Sequence, residues 1–192
     1  MTAEPTTRLK IMELAQDLLR DKGYNGFSYK HIAEELDVKN AAIHYHFPSK
    51  EDLGVAVIAR ERRRFKKWIA RQSIRELDVW GRLDWFMSIY EHYSNGGTRV
   101  CYLGVLESSF DAIPPELQNE ARALNTEMLD WLTELLEEGR QQGEFQFESD
   151  AASKAVLVIS VAQGSLQIAR VTSSDSFFSA VQQVKRDLGF QS

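Results

Sequence analysis

The fold of this chain follows from residues 27–53, which read FSYKHIAEELDVKNAAIHYHFPSKEDL. Ser28 is a typical N-cap for a short helix whose apolar residues share one face, and Asp37 after it favours a left-handed turn. A second short helix over residues 40–47 must end before Pro48, because the residue before a proline avoids the helical region. Two short helices separated by about three residues predict a helix-turn-helix unit.

Further helices are predicted on both sides of this unit. Apolar residues recur at helical spacing between Ile11 and Leu19, and Gly23 suits the C-cap of that first helix. Ser49 suits the N-cap of a long helix that begins at Lys50. The first helix and the two short ones together make a predicted three-helix domain.

The second short helix has two different faces. At about 100° per residue, Ile43 and Phe47 share one face, which can anchor the helix to a core. Ala41 and Tyr45 point the opposite way. Small alanine side chains permit a close approach to base edges, asparagine can pair with adenine, and Tyr, His and Lys can donate to phosphate.

The start of the preceding helix adds a second place for DNA, because a helix N-terminus attracts phosphate. The residues predicted on these grounds to contact DNA are Ser28, Tyr29, Lys30, Lys39, Asn40, Ala41, Ala42, His44 and Tyr45. The alternative is that these residues are only the polar exterior of a small helical unit.

Charge is distributed unevenly along the chain. Residues 1–75 carry 15 Lys and Arg against 10 Asp and Glu, whereas the remaining residues carry 8 against 18. A basic first third on an acidic body is typical of a module that faces a polyanion. A chance imbalance would give the same totals, so charge alone leaves both interpretations open.

Residues 27–53 closely resemble the N-terminal DNA-binding segment of the TetR/AcrR family of bacterial repressors. The pair Ile32 and Ala33, the aromatic-His-Phe ending at residues 45–47 and the Ser-Lys-Glu-x-Leu motif at residues 49–53 occur together at the family's spacing. Beyond this quarter of the chain, overall length and a helical pattern agree with the family.

The resemblance implies roles for individual residues. Lys50 matches a lysine that commonly touches phosphate. Three positions depart from the family's pattern: Asp37 stands where the family favours Gly, Lys39 where it favours Ser or Thr, and His44 where it favours Tyr. These departures bear on the base contacts and the operator sequence. The recognition-helix positions that the resemblance implies are Asn40, Ala41, Ala42, His44, Tyr45 and His46.

The rest of the chain is predicted to be helical as well. One long helix carries aromatic residues at helical spacing, a short element spans residues 103–110, and another long helix runs from about residue 116 to 142. We expect an all-α protein of about nine helices. Residues 1–48 would form a helix-turn-helix DNA-binding domain, and residues 49–192 a helical domain for ligand binding and dimerisation.

The predicted body contains candidates for a ligand cavity. Small-molecule sites are mostly apolar with few polar groups, and aromatic residues suit such a wall as well as a packed core. Cys101 could react with electrophiles if Arg99 favours its thiolate, or it could pack as a small apolar side chain. The residues predicted to contact a small-molecule inducer are Trp85, Ile89, Tyr93, Cys101, Glu107, Phe110 and Trp131.

The segment after residue 150 carries two apolar stripes, so the helix it forms must be buried on most sides. We predict a homodimer in which this helix and the final helix of each copy meet. The alternative is burial inside one subunit. The predicted interface residues are Ala155, Ile159, Ala162, Leu166, Phe177, Phe178, Val181 and Val184.

Several other classes of protein find no support in the sequence. A single cysteine cannot form an internal disulfide, and residues 1–8 lack the apolar segment of a signal peptide. The apolar stretch at residues 155–169 is shorter than the roughly 20 residues that cross a bilayer. No glycine-rich phosphate loop, nucleophile motif or chelating pair predicts catalysis, a metal or a cofactor. We therefore expect a cytoplasmic protein that is not an enzyme and has no cofactor and no membrane partner.

Together these patterns predict a ligand-responsive transcriptional repressor. A homodimer would bind double-stranded, pseudo-palindromic operator DNA with half-sites about 34–36 Å apart. A small-molecule inducer or electrophile would release the DNA by favouring a conformation that no longer fits that spacing. The alternative is a helical protein-interaction adaptor with an acidic body and a vestigial DNA-binding unit.

Overall fold

The computed structural model describes residues 6–94 and 100–190, apart from the side chains of Tyr93 and Ser94. These residues form ten α-helices and no strand, so the predicted all-α fold is confirmed. The sequence predicted about nine helices; the single turn α5 is too short to show an apolar period. The helices are α1 (Thr7–Lys22), α2 (Tyr29–Leu36), α3 (Asn40–His46), α4 (Lys50–Ile69), α5 (Gln72–Arg75), α6 (Val79–Ser94), α7 (Tyr102–Ser108), α8 (Pro115–Gln141), α9 (Ala151–Val171) and α10 (Asp175–Asp187).

The helix ends follow from local capping. α1 ends at Gly23 with φ 71°, and α8 is followed by Gly143 with φ 77°, a backbone region that glycine adopts without strain. At the start of α9 a carboxylate oxygen of Asp150 accepts a hydrogen bond from the Ser153 amide at 2.8 Å. The sequence predicted the ends of α1 and α8 because they are set by residues close in the chain.

The first of two compact units contains the residues up to Phe65 together with Tyr102–Leu124. Within it α1 packs against α2, α3 and α7. Burial of branched apolar side chains supplies most of the stabilisation of such a unit. Side chains without exposed surface include Ile11, Ile32, Ile43, Leu53, Ile58, Leu106 and Leu117.

This unit extends past residue 48, the boundary expected from the sequence. A Cβ atom at Gly54 would lie 3.2 Å from the side chains of Leu117 and Tyr24, so the glycine lets α4 approach α8 closely. The Asn25 side-chain amide also donates a hydrogen bond to the carbonyl oxygen of Ala112 at 3.3 Å. These contacts join segments far apart in the sequence, and no local pattern marks them.

The second compact unit contains Lys66–Cys101 and the residues from Asn125 onward. Within it α9 packs against α6 and α10, and α10 packs against α6. An ion pair between the Lys185 ammonium and the Asp84 carboxylate, 2.8 Å apart, also joins α10 to α6. Fully buried side chains here include Val79, Leu83, Phe86, Leu132, Leu136, Ala155, Val158, Ala162 and Leu188.

α9 is 21 residues long and, among the described residues, is the one helix long and apolar enough to cross a membrane. The expectation that this segment is too short is wrong, because the helix extends beyond residues 155–169 at both ends. One such helix is weak evidence for a membrane span, since the core helix of a soluble protein passes the same test. α6 and α10 cover only part of α9, and large apolar side chains such as Ile168 and Val171 stay exposed.

Candidate nucleic-acid interface

α2 begins at a reciprocal cap. The Ser28 side chain accepts from the backbone at the third helical position, and the Ser28 amide donates to Nδ1 of His31 at 3.0 Å. α2 ends at Asp37, which has φ 52° and ψ 47°, the left-handed conformation expected from the sequence. The turn to α3 is therefore short, and α2 and α3 pack together as a helix-turn-helix.

The predicted faces of α3 are confirmed. Ile43 has no exposed surface and Phe47, which follows the helix, is 2% exposed. Tyr45 on the opposite face is 84% exposed. The side chains of Lys39, Asn40, Ala41 and His44 are also exposed, and those of Ala42 and His46 are half-buried.

Two of the predicted DNA contacts have partners inside the protein. Tyr29 is buried, and its hydroxyl lies 2.9 Å from the carbonyl oxygen of Phe47 and 2.5 Å from that of Ser49. Burial and, secondarily, the nearby Asp52 carboxylate raise the pKa of Tyr29 to about 12, so the hydroxyl keeps its proton and donates. Lys50 is half-buried and donates from Nζ to the carbonyl oxygen of Phe27 at 2.6 Å.

The histidines of α3 pack beside aromatic rings. Nδ1 of His44 lies 3.2 Å from the carbonyl oxygen of Pro48, and its ring meets the Tyr29 ring edge-on at 4.8 Å between centroids. The Tyr45 and His46 rings are 5.1 Å apart in the same arrangement. These contacts restrict the rotamers that α3 presents to a ligand.

Arg8 is a basic residue at this surface that the sequence did not predict. Its guanidinium lies 4.7 Å from the centroid of the Phe47 ring, a cation–π contact that joins the start of α1 to the end of α3. Arg8 is exposed. The two residues are far apart in the sequence, so only the packing of α1 on α3 reveals their contact.

Three arginine residues of α4 have partners within the first unit. Arg60 donates to the side-chain oxygen of Gln16 at 2.6 Å, and Arg62 lies 3.4 Å from the Glu120 carboxylate. Arg64 pairs with Glu61 at 3.0 Å, and this partner raises the pKa of Arg64. These guanidinium groups are therefore partnered by uncharged and acidic side chains of the same unit.

The second unit contains an aromatic cluster formed by Trp68, Trp85, Phe86 and Trp131. The rings of Trp68 and Trp85 stack, and Trp131 stacks on Phe86 with centroids 5.5 Å apart. Trp68, which the sequence did not predict as part of a site, also lies 6.0 Å from Trp131. Indole and phenyl rings from three segments therefore meet here.

The structure distributes the other predicted ligand residues over both units. Ile89 is half-buried and Cys101 is 7% exposed, both in the second unit. Glu107 and Phe110 belong to the first unit, where the Arg122 guanidinium lies 5.2 Å from the Phe110 ring. The side chain of Tyr93 and the residue Arg99 lie outside the described residues, so their predicted roles stay predictions.

The predicted interface residues fall into two groups. Ala155, Ala162, Leu166 and Phe177 are at most 2% exposed in the isolated chain, and Ile159 and Val184 are 6% and 7% exposed. The structure thus favours, for these six, the alternative of burial inside one subunit. Val181 is half-buried and Phe178 is 38% exposed.

A different stripe of α9 is apolar and turned toward solvent. Its positions follow the 4-3-4-3 spacing of a helix face, and the exposed fraction reaches 80% at Val171. At Gly164, in its middle, an added Cβ would meet no atom within 4 Å. The stripe, called the α9 stripe below, consists of Leu157, Val161, Gly164, Ile168 and Val171.

A helix-turn-helix with an exposed recognition face, in an all-helical chain with a second compact unit, defines the class of DNA-binding transcriptional regulators. The model for bacterial regulatory proteins of the tetR family matches residues 11–57, and the model for tetracyclin repressor-like C-terminal domains matches residues 80–184. The chain belongs to the TetR family, and its fold is that of a DNA-binding regulator.

Solved structures agree with this assignment. A TetR transcriptional regulator from Legionella pneumophila is 29% identical with a TM-score of 0.86, over 97% of this chain and 100% of that chain. A TetR-family regulator from Agrobacterium tumefaciens is 28% identical with a TM-score of 0.85, and the match covers 93% of this chain and 96% of that chain. The reduced form of E. coli NemR shares the fold, at 19% identity, a TM-score of 0.79 and coverages of 96% and 98%. No curated protein sequence matches the chain.

Proposed function

We propose that this TetR-family protein is a repressor that binds pseudo-palindromic operator DNA as a homodimer and is released by a small-molecule inducer. The observation that carries the DNA-binding part is the two-faced helix α3. Ile43 anchors it with no exposed surface, while Tyr45 is 84% exposed. Exposed or half-exposed side chains then offer amide, imidazole, ammonium and methyl groups to bases and phosphates. The proposed contacts are Ser28, Lys30, Lys39, Asn40, Ala41, Ala42, His44, Tyr45 and His46.

The α9 stripe supports the homodimer. Ile168 is 55% and Leu157 is 49% exposed, although both are large apolar side chains. A contiguous apolar surface of this kind is typical of a protein interface, and a two-fold axis would bring the same stripe of each copy together. Gly164 lets two helices approach closely at its centre. Phe178 and Val181 of α10 extend the proposed interface.

The aromatic cluster of the second unit supports an apolar inducer site. Trp85, Ile89 and Trp131 are half-buried rather than fully packed, so part of each side chain remains accessible. An inducer must bind one conformation of the dimer more tightly than the other, because only differential affinity shifts the equilibrium. Cys101 is buried, which favours packing over reaction with an electrophile.

The proposed compartment is the cytoplasm, where DNA is accessible. The proposal needs no catalytic step, no cofactor and no membrane partner. It differs from the adaptor hypothesis in requiring one preferred DNA sequence rather than a protein partner.

Selection from random duplex DNA with the purified protein tests the proposal. Recovery of one pseudo-palindrome, bound with a stoichiometry of two chains and weakened by salt, would support it. Recovery of unrelated sequences that wash off at moderate salt would contradict it and favour the adaptor. A thiol-reactive compound that releases the wild-type protein from DNA but does not release Cys101→Ser would show that the inducer is an electrophile that reacts with Cys101.

A further inference from the structure

Two histidine residues of the helix-turn-helix bond to the backbone through Nδ1, but with opposite polarity. Nδ1 of His31 lies 3.0 Å from the Ser28 amide, which can only donate. Nδ1 of His44 lies 3.2 Å from the carbonyl oxygen of Pro48, which can only accept. His31 therefore has a lone pair on Nδ1, whereas His44 has a proton there.

The two rings consequently present different groups at Nε2. A neutral imidazole carries one proton. Neutral His31 has this proton on Nε2, whereas neutral His44 has it on Nδ1 and offers only a lone pair at Nε2. While it keeps the contact with Pro48, His44 can donate from Nε2 only after the ring takes up a second proton and becomes a cation.

The place of His44 on α3 favours a phosphate as the partner of Nε2. Its side chain projects about 100° from the buried Ile43 and about 100° from the exposed Tyr45, on the flank of the helix. On this flank the His44 ring meets the ring of Tyr29, the first residue of α2, edge-on with centroids 4.8 Å apart. The start of α2, with the exposed Lys30, is the part of the proposed interface that suits phosphate. A DNA phosphate accepts hydrogen bonds, so it requires a donor at Nε2.

The charged groups around His44 are mostly basic. Its described hydrogen-bond and ring contacts are with Pro48 and Tyr29, and burial, the larger cause, raises the pKa of Tyr29 to about 12, so that ring is uncharged. Tyr45 and His46 are the other titratable residues of α3. The charged side chains at the N-caps and in the first three residues of α1 to α4 are Arg8, Lys30, Lys39, Lys50, Glu51 and Asp52. Four cations against two carboxylates make this surface basic before DNA binds, and DNA phosphates would reverse the sign of the field at His44.

We propose that DNA binding takes up one proton at His44 of each chain, so that Nε2 donates to a phosphate. This inference rests on the proposed function. The proton comes from solvent and forms the Nε2–H bond, and the positive charge of the ring then lies against the phosphate. His31 takes no part, because a proton on its Nδ1 would oppose the Ser28 amide and remove the cap of α2. Affinity for operator DNA should therefore fall as the pH rises, through His44 and not through His31.

The pH dependence of DNA binding tests the proposal. The probe is the duplex that the wild-type protein selects from random-sequence DNA, titrated at fixed salt at about pH 6, 7 and 8. We expect the wild-type affinity to fall about tenfold or more over this range, with a limit of about one logarithmic unit per pH unit for each chain. His44→Gln keeps a donor without a titratable charge, so its affinity should be nearly constant. His31→Gln keeps an acceptor for the Ser28 amide and should retain the wild-type dependence.

Salt provides a second readout. Each phosphate contact by a cation contributes about 0.9 to the slope of log K against log salt. The wild-type slope should be steeper at about pH 6 than at about pH 8, by up to this amount for each chain, and the slope of His44→Gln should not change. His44→Lys is charged throughout, so it should keep the steeper slope at both pH values. This variant also covers the case in which His44→Gln fails to fold, which thermal melting identifies.

Three results would overturn the proton coupling. The first is the same pH dependence in wild type and His44→Gln. The second is a wild-type affinity that rises with pH, which is the sign expected if the neutral Nε2 accepts from a base amino group. The third is a pH dependence that His31→Gln abolishes, because the proton would then belong to the other histidine.

NMR spectroscopy of the full chain tests the tautomers without DNA. At about pH 8 the ring-nitrogen chemical shifts should give His31 protonated on Nε2 and His44 protonated on Nδ1. In the complex with the selected duplex, both nitrogens of His44 should be protonated. The opposite tautomer of free His44 would overturn the proposal. If the wild type selects no duplex at any pH, the proposed function itself fails, whereas a selected duplex bound without proton uptake overturns only this inference.

Discussion

Ile43 and Tyr45 are two positions apart on α3, yet Ile43 has no exposed surface and Tyr45 is 84% exposed. The helix turns about 200° between them, so one side chain enters the core of the first unit and the other enters solvent. The same seven-residue helix therefore carries a residue needed for folding beside one available for binding.

Replacement of these two residues should separate stability from DNA affinity. Tyr45→Ala removes an exposed side chain, so we expect stability to change by no more than about 0.5 kcal/mol. The affinity for the selected duplex should fall by about 1–3 kcal/mol. Ile43→Asp buries an unpaired carboxylate and should destabilise the first unit by more than about 4 kcal/mol. Thermal melting and DNA titration of both variants measure these effects, and equal loss of stability in both would contradict the assignment of faces.

The ion pair between Arg82 and Glu138 should make stability depend on pH. Two hydrogen bonds join the side chains, with N–O distances of 2.8 and 2.6 Å, and the hydrogen bonding from Arg82 lowers the pKa of Glu138 from its ordinary value. The ion pair therefore contributes to the free energy of unfolding above the unfolded-state pKa of Glu138. This contribution disappears as the pH falls through the folded-state pKa. Because the pair is partly exposed, Glu138→Gln should cost about 0.2–1 kcal/mol at pH 7.

The difference between Glu138→Gln and the wild type should decrease as the pH falls and vanish once Glu138 is protonated in the folded state. Glu134→Gln on the same helix is the matched control, because Glu134 is exposed. Denaturant unfolding over a series of pH values from 7 downward measures the effect. A difference that persists unchanged at low pH would show that the carboxylate charge is not its cause.

A charge in the α9 stripe should prevent self-association. Ile168→Glu places a carboxylate at a position that is 55% exposed in the single chain, so the subunit should still fold. In the proposed dimer the two carboxylates would be desolvated near each other, which is strongly unfavourable. Analytical ultracentrifugation should find monomers for Ile168→Glu and dimers for Ala152→Glu, because Ala152 is exposed and lies on a different side of α9 from the stripe. Dimers in both variants would exclude the stripe as the interface.

The contact between Gly139 and Phe145 should be sensitive to one methyl group. A Cβ atom at Gly139 would overlap the Phe145 ring, which is 1% exposed and meets the Trp80 ring edge-on at 4.6 Å. Gly139→Ala should therefore destabilise the second unit by about 1–3 kcal/mol, despite the better helix propensity of alanine. Thermal melting measures the loss. Phe145→Leu in the Gly139→Ala background should recover part of it, and strictly additive effects would argue against the steric cause.

The helices and the helix-turn-helix could be predicted because their signals are local. Ser28 caps α2, Asp37 takes the left-handed turn, and Pro48 follows α3, each through contacts within a few residues. The two faces of α3 also follow from helical geometry once its ends are known. Residues such as Arg8 and Trp68 gave no such signal, because their partners lie on other helices.

Tertiary packing determined which of the predicted binding surfaces stay exposed to solvent. α9 carries apolar residues on most sides. The spacing of these residues in the sequence therefore does not predict which stripe α6 and α10 will cover. They cover Ala155 and Ala162 and leave Ile168 and Val171 exposed. Tyr29 and Lys50 likewise look like free polar side chains in the sequence, yet the fold brings backbone carbonyls 18 and 23 positions away within reach of them. Helix ends depend on neighbours in the chain, which the sequence lists in order, whereas burial and hydrogen-bond partners depend on which helices meet.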